Sequence, residues 1–143
     1  MYPRAKALGI IKHNDCILVE EYNGEHETGE GYYYRPLGGT IELGEYGAQT
    51  VIREFEEELG VTVKIDTYLG CLENIFQTGN TIGHELVQLY SAHFSNKELY
   101  KQNRFTITEG DNISYGVWVP TETFLQGEKT LYPNGLTELL SKK

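Results

Sequence analysis

Residues 39–61 read GTIELGEYGAQTVIREFEEELGV and contain the strongest helical pattern in the chain. Apolar side chains recur there at spacings of three, four and seven, which places them on one face of a helix. These side chains are Ala48, Val51, Ile52, Phe55 and Leu59. We therefore predict a helix from about Tyr46 to Leu59, followed by Gly60 at the position where a glycine often ends a helix.

Four glutamates crowd the last turns of this predicted helix, where the helix dipole disfavours negative charge. They are Glu54, Glu56, Glu57 and Glu58. At about 100° per residue, Glu54, Glu57 and Glu58 fall on one side of the helix at the margin of its apolar face, whereas Glu56 points away. Three converging carboxylates form an oxygen-rich site that suits Mg²⁺ or Mn²⁺. The alternative is an acidic helix face that is simply solvated.

The fixed positions of this stretch resemble the complete Nudix box, G-x5-E-x7-R-E-U-x-E-E-x-G-U, in which U is a bulky apolar residue. The matching residues are Gly39, Glu45, Arg53, Glu54, Phe55, Glu57, Glu58, Gly60 and Val61. Phe55 is a less usual choice at its position, but it is apolar and belongs to the helical stripe. Because every constrained position matches at fixed spacing, the motif is highly specific.

The resemblance implies an α+β fold of the Nudix type, with a mixed β-sheet sandwiched between helices, and a single domain over residues 1–143. It implies that Glu54, Glu57 and Glu58 bind the metal. Glu45 would pair with Arg53 or assist the metal site. Gly38 and Gly39 would form a tight loop beside the helix, where the lack of a Cβ lets a substrate phosphate approach the backbone.

The implied activity is divalent-metal-dependent hydrolysis of a diphosphate linkage in a nucleoside diphosphate derivative, with Mg²⁺ as the cofactor and Mn²⁺ as its alternative. Glu54, Glu57 and Arg53 are the catalytic candidates within the box. The sequence lacks the proline and the tyrosine that mark two Nudix subfamilies, so a nucleoside triphosphate or a related small nucleotide is the favoured substrate. A non-catalytic nucleotide-binding module of the same fold is the second hypothesis, and a metal-dependent isomerase is the third.

Outside the box, Glu85 is the main candidate for the general base, because it stands at the start of an apolar strand where an acid is out of place. Glu73, Glu109 and Asp111 are weaker candidates. An ordinary charged strand end is the alternative for Glu85.

Substrate recognition is predicted from residues on either side of the box. Tyr34 and Phe76, with Tyr32 and Tyr33, could stack on a base, although aromatic residues more commonly fill a core. Arg35 is expected to meet a phosphate, beside Gly38 and Gly39.

The bulk composition limits the partners. The net charge of −9 disfavours binding to long nucleic acids. The first residues lack a signal-peptide pattern, and no apolar run is long enough to span a membrane. We therefore expect a cytoplasmic protein that acts on a small molecule, without a membrane partner. Family members are often dimers, so a homodimer is included among the expectations. Cys16 and Cys71 are expected to be small buried residues.

The remaining pattern predicts a β-hairpin from Ala5–Ile11 and Cys16–Val19, then an exposed loop over Asn23–Gly31. The strand Tyr32–Tyr34 is expected to be broken by Pro36–Gly39. Further strands are predicted at 61–65, 68–76, 85–94 and 115–119. A short helix over Leu136–Leu140 is expected to be capped by Asn134.

Overall fold

The strands form where the sequence is rich in apolar, β-branched and aromatic residues, within residues 2–26 and 29–142, which the computed structural model describes. Nine strands are present there: β1 (Arg4–Ile10), β2 (Lys12–His13), β3 (Cys16–His26), β4 (Gly29–Arg35), β5 (Leu37–Thr40), β6 (Val63–Thr78), β7 (Thr81–Phe94), β8 (Arg104–Glu109) and β9 (Asn112–Pro120). The helices are α1 (Gly47–Leu59), a 3-10 helix (Lys97–Lys101), α2 (Thr121–Leu125) and α3 (Leu136–Ser141).

The strands are arranged in two sheets. The first has the order β5–β1–β7–β6 and is mixed, because β1 and β7 are parallel and the other pairs are antiparallel. The second has the order β2–β3–β9–β8, with β4 also paired to β3, and is antiparallel. The predicted α+β architecture with a mixed sheet is thus confirmed, with two sheets where one had been expected.

The first strand shows why its sequence is a continuous apolar run: both of its faces are buried. Ala7 packs in the cluster that includes α1, while Leu8 packs on the opposite face with α2 and α3. Gly9 allows α1 to approach closely, because a Cβ added there would lie 2.7 Å from a methyl carbon of Val51. The strand therefore forms the layer that α1 packs against.

The helix predicted from residues 46–59 is confirmed as α1, with Tyr46 at its N-cap. Its stripe is buried at Val51 and Phe55, which are at most 1% exposed. Gly60 adopts φ 70° and its amide bonds the carbonyl of Glu56, which ends the helix as predicted.

Several local predictions were wrong because strand pairing overrode local composition. The predicted loop over Asn23–Gly31 belongs to the β3–β4 hairpin, except for residues 27 and 28, which lie outside the described residues. The break predicted at Pro36–Gly39 is present, since β4 ends at Arg35, but Leu37–Thr40 then form β5, which was not predicted and which pairs with β1. Residues 61–65 and 68–76 contribute to one long strand, β6, with two register shifts.

Several other elements and positions also differ from expectation. The strand β8 and the helix α2 were missed. The N-cap of α3 is Gly135, with φ 96°, and not Asn134. Cys71 is exposed and Cys16 is half-buried, so the prediction that both are buried was wrong. None of the helices formed by residues 2–26 and 29–142 has the length and apolar character that a bilayer crossing requires.

Candidate active site

Arg53, in the middle of α1, is the centre of an ion-pair network. Its Nε and Nη2 donate to the two carboxylate oxygens of Glu45 at 2.8 and 3.0 Å, a bidentate arrangement. Its Nη1 donates to Glu54 at 3.0 Å and to Glu57 at 3.1 Å. A further bond from Nη2 to the carbonyl of Thr40, at 3.1 Å, ties the helix to the end of β5. The arginine thus positions the carboxylates of the box.

Both oxygens of Glu45 are engaged by this network. Thr50 Oγ1 donates to it at 2.7 Å and the Glu42 amide at 3.2 Å, in addition to Arg53. The hydrogen bonds from Arg53, followed by that from Thr50, lower the pKa of Glu45 to about 2. Of the two roles considered for Glu45, pairing with Arg53 is the one that the structure forms. A role as metal ligand would require Arg53 to move.

Four carboxylates converge beyond Arg53, and we call them the acidic cluster: Glu20, Glu54, Glu58 and Glu109. Glu58 is 9% exposed, and its buried Oε1 has no hydrogen-bond partner among the described residues. Burial, followed by the charges of Glu54 and Glu20, raises the pKa of Glu58 to about 8. A buried carboxylate such as that of Glu58 is unfavourable without a compensating charge or hydrogen bond.

The acidic cluster fits a divalent cation. The donors are carboxylate oxygens, the ligand type that Mg²⁺ and Mn²⁺ prefer, and the unpartnered Oε1 of Glu58 faces the same space as Glu54. In the described part of the chain, no three acidic, histidine or cysteine side chains are already grouped closely enough to hold a metal. Glu57 is held apart, with its side chain 59% exposed and bonded to Arg53. Glu54 and Glu58 are therefore the pair best placed to hold the ion.

The two glycines before the box make room for this site. A Cβ on Gly39 would overlap the carboxylate of Glu54, and a Cβ on Gly38 would overlap the carbonyl oxygen of Ala7. Both glycines line the cavity that contains the acidic cluster. Close packing of β5 against α1 and β1 therefore requires glycine at both positions.

A second cavity, of about 270 Å³, lies next to the acidic cluster. Its aromatic lining consists of Tyr22, Tyr33, Phe76 and Tyr132, so we call it the aromatic cavity. Tyr22 and Tyr33 are stacked with their ring centroids 5.1 Å apart and an interplanar angle of 14°. Such rings offer flat apolar surface to a ligand.

Three residues line both cavities and form the junction between them: Lys6, Tyr22 and Arg35. Lys6 Nζ donates to Thr40 Oγ1 at 2.9 Å, and burial followed by the charge of Arg35 lowers the pKa of Lys6. Arg35 donates to Tyr22 Oη at 3.4 Å, yet its buried Nε has no partner among the described residues. Two cations at one narrow place would attract an anionic ligand.

Of the aromatic residues predicted to bind a base, some line the aromatic cavity and one lies in the core. Phe76 lines the aromatic cavity, as does Tyr33. Tyr34 is 2% exposed, packs against Phe124 and donates to Glu21 at 2.8 Å, so it belongs to the core and lines neither cavity. The expectation that Tyr34 stacks on a base is therefore corrected. Adjacent strand residues face opposite sides, and the sequence did not indicate which of the two faces the cavity.

The candidates for a general base lie in different places. Glu85 is 9% exposed and lines the aromatic cavity, not the cavity of the acidic cluster. Glu109 lies in the acidic cluster, whereas Glu73 and Asp111 are exposed and line neither cavity.

Sequence reasoning missed Glu20, Lys6, Tyr22 and Asn74. The one available signal was a polar or charged residue that continues the inward alternation of an apolar strand, as Lys6 does before Leu8.

Known proteins agree with this architecture. The chain matches the model of the NUDIX domain over residues 3–139. It is 30% identical over 76 residues to the NAD-capped RNA hydrolase NudC of Mannheimia succiniciproducens, and this match covers 53% of the chain but only 28% of that relative.

Solved structures share the fold at lower identity. A MutT NUDIX hydrolase from Burkholderia pseudomallei superposes with a TM-score of 0.67 at 21% identity, covering 99% of this chain and 98% of the other. The ORF135 protein of E. coli gives a TM-score of 0.62 at 21% identity, with coverages of 99% and 88%. Because the family model spans nearly the whole chain and the box is intact, the chain belongs to the Nudix hydrolase family.

Proposed function

We propose that the protein hydrolyses a diphosphate linkage in a nucleoside triphosphate or a related small nucleotide. The observation that carries this proposal is the distribution of unpartnered buried polar atoms in the described residues. There are three: Oε1 of Glu58, Nε of Arg35 and Oδ1 of Asn74. The residues that carry these atoms all line one or both of the two adjoining cavities. Native proteins rarely leave buried polar atoms unsatisfied. A ligand with cationic, anionic and polar parts in that order would satisfy them.

Within this proposal, Glu54 and Glu58, assisted by Glu57, would hold Mg²⁺ or Mn²⁺. Such an ion would neutralise charge at the phosphates and favour loss of a proton from the attacking water. Lys6 and Arg35 bind and orient the diphosphate from the junction, since both are cationic residues that line both cavities, and the Nε of Arg35 has no partner among the described residues.

The remaining step is water attack on phosphorus. A carboxylate of the acidic cluster accepts the proton of the attacking water, an effect worth about 10²–10⁴-fold. Arg53 keeps Glu54 and Glu57 in place through its hydrogen bonds and is a positioning residue. The products are a nucleoside phosphate and a second phosphate fragment. The tyrosines and Phe76 would hold the nucleoside end.

The test is an assay of phosphate and pyrophosphate release from nucleoside triphosphates, nucleotide sugars, ADP-ribose and dinucleoside polyphosphates with Mg²⁺, and again with EDTA. We expect metal-dependent cleavage of nucleoside triphosphates that is abolished in Glu54→Gln. Glu56→Gln is the matched control, since Glu56 is an exposed glutamate on the same helix that lies outside both cavities. Metal-dependent binding without any cleavage would support the non-catalytic binding module instead.

A further inference from the structure

The aromatic cavity is lined by two adjacent polar side chains that have no role in the proposed hydrolytic step. Asn74 on β6 and Glu85 on β7 are direct cross-strand partners, 6% and 9% exposed respectively. Both line the aromatic cavity. Side chains that face each other in this way have Cβ atoms about 5 Å apart, so they can contact one ligand group together.

Both side chains present hydrogen-bond acceptors. The Oδ1 of Asn74 is buried and has no partner among the described residues. The carboxylate of Glu85 adds two acceptor oxygens. A buried acceptor that is left unmatched is costly, so the Oδ1 of Asn74 favours a ligand that brings a donor to it. The cavity therefore selects a ligand that offers two neighbouring N–H or O–H donors.

The walls of the cavity restrict the shape of that ligand. Tyr22, Tyr33 and Phe76 expose aromatic surface around the Asn74–Glu85 pair. Stacking of a ligand on an aromatic side chain is favourable for a flat ligand such as a base. A planar base fits this lining better than a sugar does.

We propose that Asn74 and Glu85 are specificity-determining residues that select a guanine base, which rests on the function proposed above. Guanine presents adjacent imino and amino N–H donors, which a carboxylate accepts together, and the Asn74 amide completes the contact. Adenine and cytosine offer one amino group, and uracil offers one imino N–H between two acceptors. Glu85 thereby binds the base of the substrate from the aromatic cavity, a different role from that of general base.

The first experiment measures equilibrium binding of GMP, IMP, AMP, CMP and UMP to the full chain by calorimetry in EDTA. GMP should bind about 10–100-fold more tightly than UMP, the discrimination typical of one bidentate base contact. IMP lacks the amino group and should bind more weakly than GMP. Equal affinities for GMP, IMP and UMP would overturn the inference.

The second experiment exchanges the acceptor for an amide. In Glu85→Gln the side chain can still accept from the imino N–H, but it presents a donor where guanine also presents one. Xanthine carries an oxygen at that position, so XMP should gain affinity relative to GMP by at least about 10-fold. The matched control is Glu73→Gln, an exposed residue on the opposite face of β6 that should leave the XMP:GMP ratio unchanged.

If Glu85→Gln does not fold, Asn74→Ala provides the same test, with a predicted loss of the GMP preference over UMP. An XMP:GMP affinity ratio that is unchanged in folded Glu85→Gln, or a GMP preference over UMP that is unchanged in folded Asn74→Ala, would contradict the proposal. Because binding is measured without metal or turnover, this result is independent of hydrolysis. A protein that prefers GMP but cleaves no triphosphate would disprove the catalytic proposal alone, and a hydrolase with no base preference would disprove the specificity proposal alone.

Discussion

The acidic cluster and the aromatic cavity adjoin each other but are built on opposite physical principles. The acidic cluster concentrates four carboxylates and leaves the Oε1 of Glu58 without a partner among the described residues, an imbalance that the proposed cation would offset. The aromatic cavity carries apolar rings around a small number of polar atoms, as small-molecule sites do. The acidic cluster is therefore organised for charge and the aromatic cavity for shape and hydrogen bonding, with Lys6 and Arg35 between them.

The largest expected effect is at the acidic cluster. Glu58→Gln removes the buried carboxylate with the unpartnered oxygen, and the rate of nucleotide hydrolysis should fall about 10²–10³-fold, equivalent to a few kcal/mol of lost charge stabilisation. Steady-state kinetics in saturating Mg²⁺ would measure kcat. Glu56→Gln serves as the control and should retain wild-type kcat. If Glu58→Gln keeps full activity, the acidic cluster is not the catalytic end.

The second largest effect is expected in the aromatic cavity. Phe76→Ala removes a ring from the aromatic cavity without touching the acidic cluster, so KM should rise about 10-fold while kcat stays within about twofold. This split between KM and kcat is expected only where a residue binds ground state and transition state equally. A large fall in kcat with unchanged KM would mean that the two ends do not divide binding and chemistry in this way.

A smaller effect concerns the ion pair that supports the acidic cluster. Because the folded-state pKa of Glu45 lies at about 2, below its ordinary value of 4.5, its stabilisation is present above pH 4.5 and is lost as the pH falls toward 2. Glu45→Gln should therefore lower the thermal midpoint by a few degrees at pH 7, and by much less near pH 2.5. Thermal scans across this range, compared with Glu56→Gln, measure it. An equal deficit at both pH values would contradict an ionised Glu45–Arg53 pair.

The smallest effect has the opposite sign. The pKa of Glu58 in the folded protein is raised from 4.5 to about 8, so without metal its ionisation opposes folding increasingly from pH 4.5 to pH 8. In EDTA, Glu58→Gln should be slightly more stable than wild type at pH 8.5 and similar to it near pH 4.5. Added Mg²⁺ should stabilise the wild type more than the variant. A variant that is less stable at pH 8.5 in EDTA would show that the carboxylate is not in conflict with its surroundings.

Much of the fold followed from local pattern. The apolar stripe through Val51 and Phe55 predicted α1 because helical periodicity places these residues on one face. Gly60 predicted the end of the helix, since a glycine readily adopts the left-handed conformation found there. The β3–β4 hairpin was not predictable in this way. Its polar, glycine-containing strands are held by pairing with each other and not by their own propensities.

The candidate site divides along the same line. The residues contributed by α1 could be located from the box, because their spacing along one helix fixes their mutual directions. Glu20 and Glu109 complete the acidic cluster from β3 and β8, which lie far from the helix in sequence. No local pattern carries that information.

The amino-acid sequence alone therefore specifies the family, the helix that carries the box and the glycines beside it, since each depends on short-range spacing and backbone sterics. The packing of the two sheets decides the rest. It turns Tyr33 toward the aromatic cavity and Tyr34 into the core, and it pairs Asn74 with Glu85. It also places Lys6 and Arg35 at the junction. These arrangements depend on strand register and on contacts between distant segments, and a one-residue change of register would reverse every side chain involved.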